Sequence, residues 1–311
     1  MVDSIVLINS CIYFDNIVRL TEVVEREHSI KVMCSALFSS IPMGLNTRRS
    51  DIDVFMLAED LSKSKKLLPN VQIYYDDKFG LLQYENSCDS GRFQDHRING
   101  NELKYDVCIN DINTVQLAIE NYERPKYYPS YHNTNKEDHL REGDKTFFAQ
   151  ERSSRIFLQR MLVYRNIWDK ECYLRNNWND IHRKHLRSIE IMDMWYTTAY
   201  GHVDFSLTKE KVQLRKYLNM MNSLLAMKWI MQYNTLPPIL FTEIVEICDN
   251  PTVKDMVIQL YLLHESQTED KHKVYIDNIP LIKSYYLNEI AEIRSFMEKL
   301  NSTNPYLCLQ V

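Results

Sequence analysis

Ser50-Asp51-Ile52-Asp53-Val54-Phe55-Met56-Leu57 is the stretch that decides the fold. After its first acid it is apolar at every position but Asp53, so residues 51–57 read as a strand. Side chains alternate along a strand. Asp51 and Asp53 therefore share one face, about 7 Å apart at the backbone, while Ile52 and Val54 point the other way, into a core. Two carboxylates so placed repel each other unless a cation joins them. Hard oxygen ligands suit Mg²⁺ or Mn²⁺, ions that keep several waters and take their remaining ligands from substrate phosphates. The bland alternative is a loop-to-strand cap that happens to hold two acids.

Working outward, residues 30–38 (IKVMCSALF) read as a buried strand, and 39–50 (SSIPMGLNTRRS) carry turn chemistry in Pro42, Gly44, Asn46 and Ser50. Ser39, Ser40 and Gly44 are small residues following a strand. Such residues let backbone N–H groups and hydroxyls approach a triphosphate closely. Ile17, Leu20, Val23 and Val24 recur at helical spacing, predicting a helix over roughly 16–28. Downstream, 59–68 reads as a short helix, and 71–75 with 79–85 as a hairpin turning at Asp76-Asp77-Lys78. The stretch 102–109 alternates, with Leu103, Tyr105, Val107 and Ile109 on one face and Asp106 on the opposite one, where a third metal ligand belongs. Asp111 sits at a helix-cap position and reads as a cap rather than a ligand.

The character of the chain changes after Pro125. Residues 126–145 are polar, Tyr-rich and weakly periodic, a linker or substrate loop. From 146 onward the pattern is almost wholly helical, over roughly 146–166, 180–200, 209–234, 240–249, 252–265 and 280–300. Leu214, Tyr217, Leu218, Met221, Leu224, Leu225, Lys228 and Trp229 form the clearest stripe, and Pro237-Pro238 ends that unit. The expected organisation is α+β: a mixed sheet with flanking helices in 1–125, the linker in 126–145, and a helical domain in 146–311.

Composition narrows the class. The chain has 311 residues, 45% of them hydrophobic and 25% charged, with only 6 Gly and a net charge of −5. No global basic field advertises nucleic acid, so any such contact needs a local patch. The basic run at 182–187 (HRKHLR), with Arg152, Arg155, Arg160 and Arg165 upstream, is such a concentration, though it equally suits a solvated helix face. His182 and His185 have metal-compatible spacing but no accompanying carboxylate or Cys, and they read as a surface pair. Tyr127, Tyr128 and Tyr131 can stack bases or anchor a loop. Seven scattered cysteines without a CxxC pair fit a reducing, cytoplasmic setting. No apolar run is long enough for a membrane span.

The spacing of these residues resembles the DNA polymerase β superfamily of nucleotidyltransferases. Its signature has a Gly-Ser pair, a Gly five residues after the first member, Asp-apolar-Asp starting twelve residues after it, and a third Asp on a later strand. Ser39-Ser40, Gly44, Asp51-Ile52-Asp53 and Asp106 stand at those positions. Within the superfamily the chain looks most like the RNA-ligase-associated, or RNA repair pathway, branch. Two further stretches carry that likeness: Asp106 through Asp111 leading into a helix, and Leu214 through Ile230 running on to Pro237-Pro238. Ser39 departs from the family's first Gly, and Ile41-Pro42-Met43 replaces a segment that often carries an Arg. Arg48 and Arg49 are the candidates to supply that charge.

The resemblance implies Mg²⁺- or Mn²⁺-dependent transfer of a nucleoside monophosphate from an NTP to an acceptor hydroxyl. Asp51, Asp53 and Asp106 would be the catalytic metal ligands, and Ser39, Ser40, Gly44, Arg48 and Arg49 would bind the nucleotide. The implied acceptor is an RNA end. Nucleotidylation of a protein or small molecule, or a catalytically silent RNA- or partner-binding role prompted by Ser39, are the alternatives.

Overall fold

The computed structural model describes residues 17–26, 28–37, 40–45, 52–59, 71–76, 81–86, 103–112, 167–169, 176, 186–207, 209–266 and 274–310. Its centre is a six-stranded sheet built from β1 (Lys31–Leu37), β2 (Ile52–Glu59), β3 (Val71–Asp76), β4 (Leu81–Asn86), β5 (Leu103–Asp111) and β6 (Ile167–Trp168). The strand order is β4-β3-β5-β2-β1-β6. Strands β2 and β5 run parallel, and every other pair in this sheet is antiparallel. The β3–β4 hairpin forms where the sequence predicts it, and the strands expected at 30–38, 51–57 and 102–109 are β1, β2 and β5.

One face of the sheet packs on helix α1, residues 17–26. Ile17, Leu20, Val23 and Val24 meet Val32, Leu37, Ile52, Val54, Met56 and Val107 in one apolar cluster. Thr21 sits on this face too, its hydroxyl 2.8 Å from the Ile17 carbonyl oxygen and 2.9 Å from the Ser35 hydroxyl. The register between β1 and β2 slips between Val32 and Cys34. An extra residue reverses side-chain parity, so Val32 joins the α1 face while Cys34 and Ala36 join the opposite one. Burial, with Asp169 nearby, pushes the Cys34 thiol well above its ordinary range, so it stays a protonated core residue.

The opposite face is covered by C-terminal elements. These are α2 (Ser188–Ser206), β7 (Lys211–Gln213), α3 (Leu214–Tyr233), α4 (Phe241–Ile244) with a 3₁₀ turn (Val245–Ile247), α5 (Pro251–Glu265), β8 (Tyr275–Asp277) and α6 (Pro280–Thr303). Cys34, Ala36, Phe55 and Leu57 belong to the same hydrophobic cluster as Trp195, Tyr217, Met221, Phe241, Val257 and Ile293. Helix α3 runs through that cluster, buried at Leu214, Tyr217, Leu218, Met221, Leu224, Leu225 and Lys228 of its stripe, with Trp229 only half-buried.

The chain beyond residue 146 is not wholly helical. Residues 167–168 return to the sheet as β6, pairing with Ser35 and Ala36 of β1. Residues 211–213 form β7, paired with β8, so the helix expected from 209 starts only at Leu214. Gln213, before the first turn, makes no side-chain cap. The Leu214 N–H instead donates to the Val274 carbonyl at 2.8 Å, a partner from a distant segment. Helix α5 follows the sequence rule more closely. Asn250 accepts from the Val253 N–H at 3.1 Å, and Pro251 opens the helix. The helices expected at 59–68 and 146–166 lie outside the described residues, apart from Glu59, which closes β2. Among the described residues no helix is long and apolar enough to cross a membrane.

Candidate active site

Strand β2 brings Asp53 to the sheet end where β1 finishes, since Leu37 of β1 is the register partner of Val54. The parallel neighbour β5 then sets Asp106 directly beside Asp53. Register partners in adjacent strands lie on the same side of the pleat, so these two positions share a face. That face continues through Phe55 and Leu57 into the cluster shared with the C-terminal helices. Asp53 itself is half-buried. Ile52 and Val54 go to the α1 side, as alternation predicts.

Beyond β1 the chain makes a buried turn, Ser40 through Leu45. The Leu45 N–H donates to the Ser40 carbonyl at 2.8 Å and the Gly44 N–H to the Ile41 carbonyl at 3.1 Å. This pair of nested bonds, closed by a residue in the left-handed region, is the way a helical turn stops. Gly44 is that residue, with φ of 68°. A side chain there would cost energy, which is the physical reason for glycine. The amides of Gly44 and Leu45 are thus engaged within the turn. The Ser40 hydroxyl is different: the residue is 1% exposed, and its Oγ has no hydrogen-bond partner among the described residues. A buried hydroxyl left in that state costs about 1–3 kcal/mol.

The turn is fastened to the C-terminal helices at three points. The Phe241 N–H at the start of α4 donates to the Met43 carbonyl at 3.0 Å. Asn222 of α3 places Nδ2 3.2 Å from the Met43 sulfur. His264 of α5 places Nε2 3.1 Å from the Leu45 carbonyl oxygen. A carbonyl can only accept, so that imidazole nitrogen carries the proton. Burial lowers the His264 pKa, assisted by Arg215 and opposed by the Leu45 hydrogen bond and Glu265, so the ring is neutral near pH 7.

Of the expected site residues, Asp53 lies in β2 with Asp106 in register beside it, and Ser40 and Gly44 lie in the turn that follows β1. Asp51, Ser39, Arg48 and Arg49 lie outside the described residues, as does the side chain of Asp106. Within the described residues alone, no three His, Cys, Asp or Glu side chains form a metal-sized group. Asp111 ends β5 immediately before helical residue 112, the place a cap occupies. His182, His185, Tyr127, Tyr128, Tyr131 and the arginines at 152–165 also fall outside the described residues. Sequence reasoning missed His264, Asn222 and Phe241. Val253, Val257, Leu260, Tyr261 and His264 share a buried helical stripe, which signals a buried His but names no partner for it.

A second polar group is buried among the helices, apart from the turn. Lys228 of α3 lies 2.5 Å from Glu289 of α6 and 3.0 Å from Asp249, and it donates to the Tyr285 hydroxyl at 3.1 Å. Tyr285 in turn donates to Asp249 at 2.9 Å. Burial alone would lower the Lys228 pKa, but hydrogen bonds and charges from Glu289 and Asp249 outweigh it and raise it. For Asp249 burial pulls upward, and Lys228 and Tyr285 together hold it below its usual value. With its ammonium enclosed by acceptors, Lys228 is a structural cross-link between helices.

Residues 169–307 match the model of the RNA repair pathway DNA polymerase beta family. No curated protein and no solved structure matches the chain. The matched region contains α2 through α6, including the α3 stretch that carries part of the sequence resemblance, while β1, β2 and β5 precede it. Over residues 169–307, the chain is similar to the RNA repair pathway DNA polymerase beta family.

Proposed function

We propose that the protein is a metal-dependent nucleotidyltransferase that moves a nucleoside monophosphate from an NTP to the hydroxyl of an RNA end. The observation that carries this reading is the register of Asp53 with Asp106 across parallel strands. The family match over the helices supports a role in RNA repair.

The donor set fits a hard divalent cation. Asp53 and Asp106, with Asp51 two residues from Asp53, are oxygen donors that Mg²⁺ or Mn²⁺ accept, and paired carboxylates at neighbouring register positions are stabilised by a cation between them. When bound, such an ion neutralises charge on the phosphates and on the entering and leaving oxygens. The chain's own residues supply the rest. Ser40 brings a buried hydroxyl without a partner among the described residues, which a phosphate oxygen would satisfy. Gly44 keeps the turn tight, and Arg48 and Arg49 follow it in sequence with positive charge for the triphosphate. Asp106, at the register position beside Asp53, would share a second metal, which would lower the pKa of the acceptor hydroxyl. Catalysis of this kind is positioning plus charge neutralisation.

The test is incubation of the full chain with labelled NTPs, Mg²⁺ or Mn²⁺, and RNA. Label is expected on RNA, and Asp53→Ala should lower the rate by at least about 100-fold. Retained labelling in Asp53→Ala would sink the assignment. Label on protein would redirect the acceptor, and the absence of NTP binding would favour a silent binding role.

A further inference from the structure

Leu45 is held from both sides. Its N–H donates to Ser40, and its carbonyl accepts from His264 of α5. The helix is therefore linked to Ser40 through a single intervening residue. His264 is 5% exposed and sits where the α5 stripe otherwise carries Val253, Val257, Leu260 and Tyr261. A leucine would pack there without the cost of burying an imidazole. What the imidazole adds over a leucine is one directed N–H. That N–H reaches the turn rather than another helix.

We propose that His264 is a positioning residue for the nucleotide, holding the Ser40–Leu45 turn through the Leu45 carbonyl at the place where Ser40 meets the triphosphate. The inference rests on the proposed nucleotidyltransferase reading. It makes the helical region a working wall of the nucleotide site. Asn222 and the Phe241 N–H hold Met43 and fix the middle of the turn, whereas His264 fixes its exit, next to the bond that reaches Ser40.

Three substitutions in the full chain test it: His264→Leu, His264→Gln and His264→Asn. The Gln amide nitrogen reaches the position of Nε2, whereas the shorter Asn amide does not. NTP affinity is read by titration of a fluorescent NTP with Mg²⁺, and KM and kcat by NTP-dependent labelling. Loss of the bond is expected to raise Kd and KM for NTP about tenfold in His264→Leu and His264→Asn, with a smaller change in kcat, and Gln should restore both constants to near the wild-type values. If His264→Leu does not fold, the Gln and Asn pair decides. Equal constants for Gln and Asn, or wild-type constants in His264→Leu, overturn the proposal while leaving the activity assigned. A wild-type chain that neither binds nor uses NTP overturns the activity and this proposal together.

Discussion

At the residue scale, two buried polar side chains illustrate different consequences of leaving water. Lys228 is matched by Glu289, Asp249 and Tyr285, so its removal is worse than its burial. Lys228→Met is expected to destabilise the fold by about 3–5 kcal/mol, because it strands Glu289, only 13% exposed, without that counter-charge. Urea denaturation measures this directly. His264 gives a pH signature of its own. Its folded pKa is depressed, so below about pH 6.5 the unfolded chain binds a proton that the folded protein resists. Stability from this group is complete above that pH and falls as pH drops toward the folded pKa. The urea midpoint should therefore decline as pH falls below about 6.5, and His264→Gln should flatten the decline. Neither partnership is legible in the sequence. Periodicity places both residues on buried stripes, but their partners lie far along the chain, Glu289 for Lys228 and Leu45 for His264.

At the element scale, the Ser40–Leu45 turn shows what a motif glycine is for. Gly44 at φ 68° closes the turn, and alanine there should cost about 1–2 kcal/mol in an unfolding titration. Asparagine, which tolerates the left-handed region, should cost less. The strands around this turn are readable because alternation and turn residues are local signals. β6 and β7 are not, since elements of two and three residues have no period to detect and exist only through their pairing with β1 and β8. The start of α3 escapes sequence reading for a related reason: its first N–H is satisfied by Val274 rather than by a neighbouring cap. At the site, Asp53 and its face are legible from alternation, and the pairing with Asp106 requires knowing that β5 lies parallel to β2.

At the scale of the whole molecule, the sheet has two covered faces but only one of them is covered by N-terminal sequence. Cys34, Ala36, Phe55 and Leu57 are buried in the cluster formed with the helices that follow residue 186. A fragment comprising residues 1–125 should therefore fail to form a stable fold, binding a hydrophobic dye and lacking a cooperative thermal transition, whereas the full chain unfolds with a single one. A cooperative transition in the fragment would show that α1 and the sheet suffice.

The late arrival of β6 has a further consequence, for synthesis in the cell. Strand β1 leaves the ribosome early, yet the strand that covers its outer edge is not made until residue 168. Until then a growing chain carries an open strand edge as well as the bare sheet face, the features that invite pairing with a neighbouring chain. Slow translation through the intervening stretch prolongs that window, so yield in a heterologous host should depend on translation rate and on chaperones that shield nascent chains.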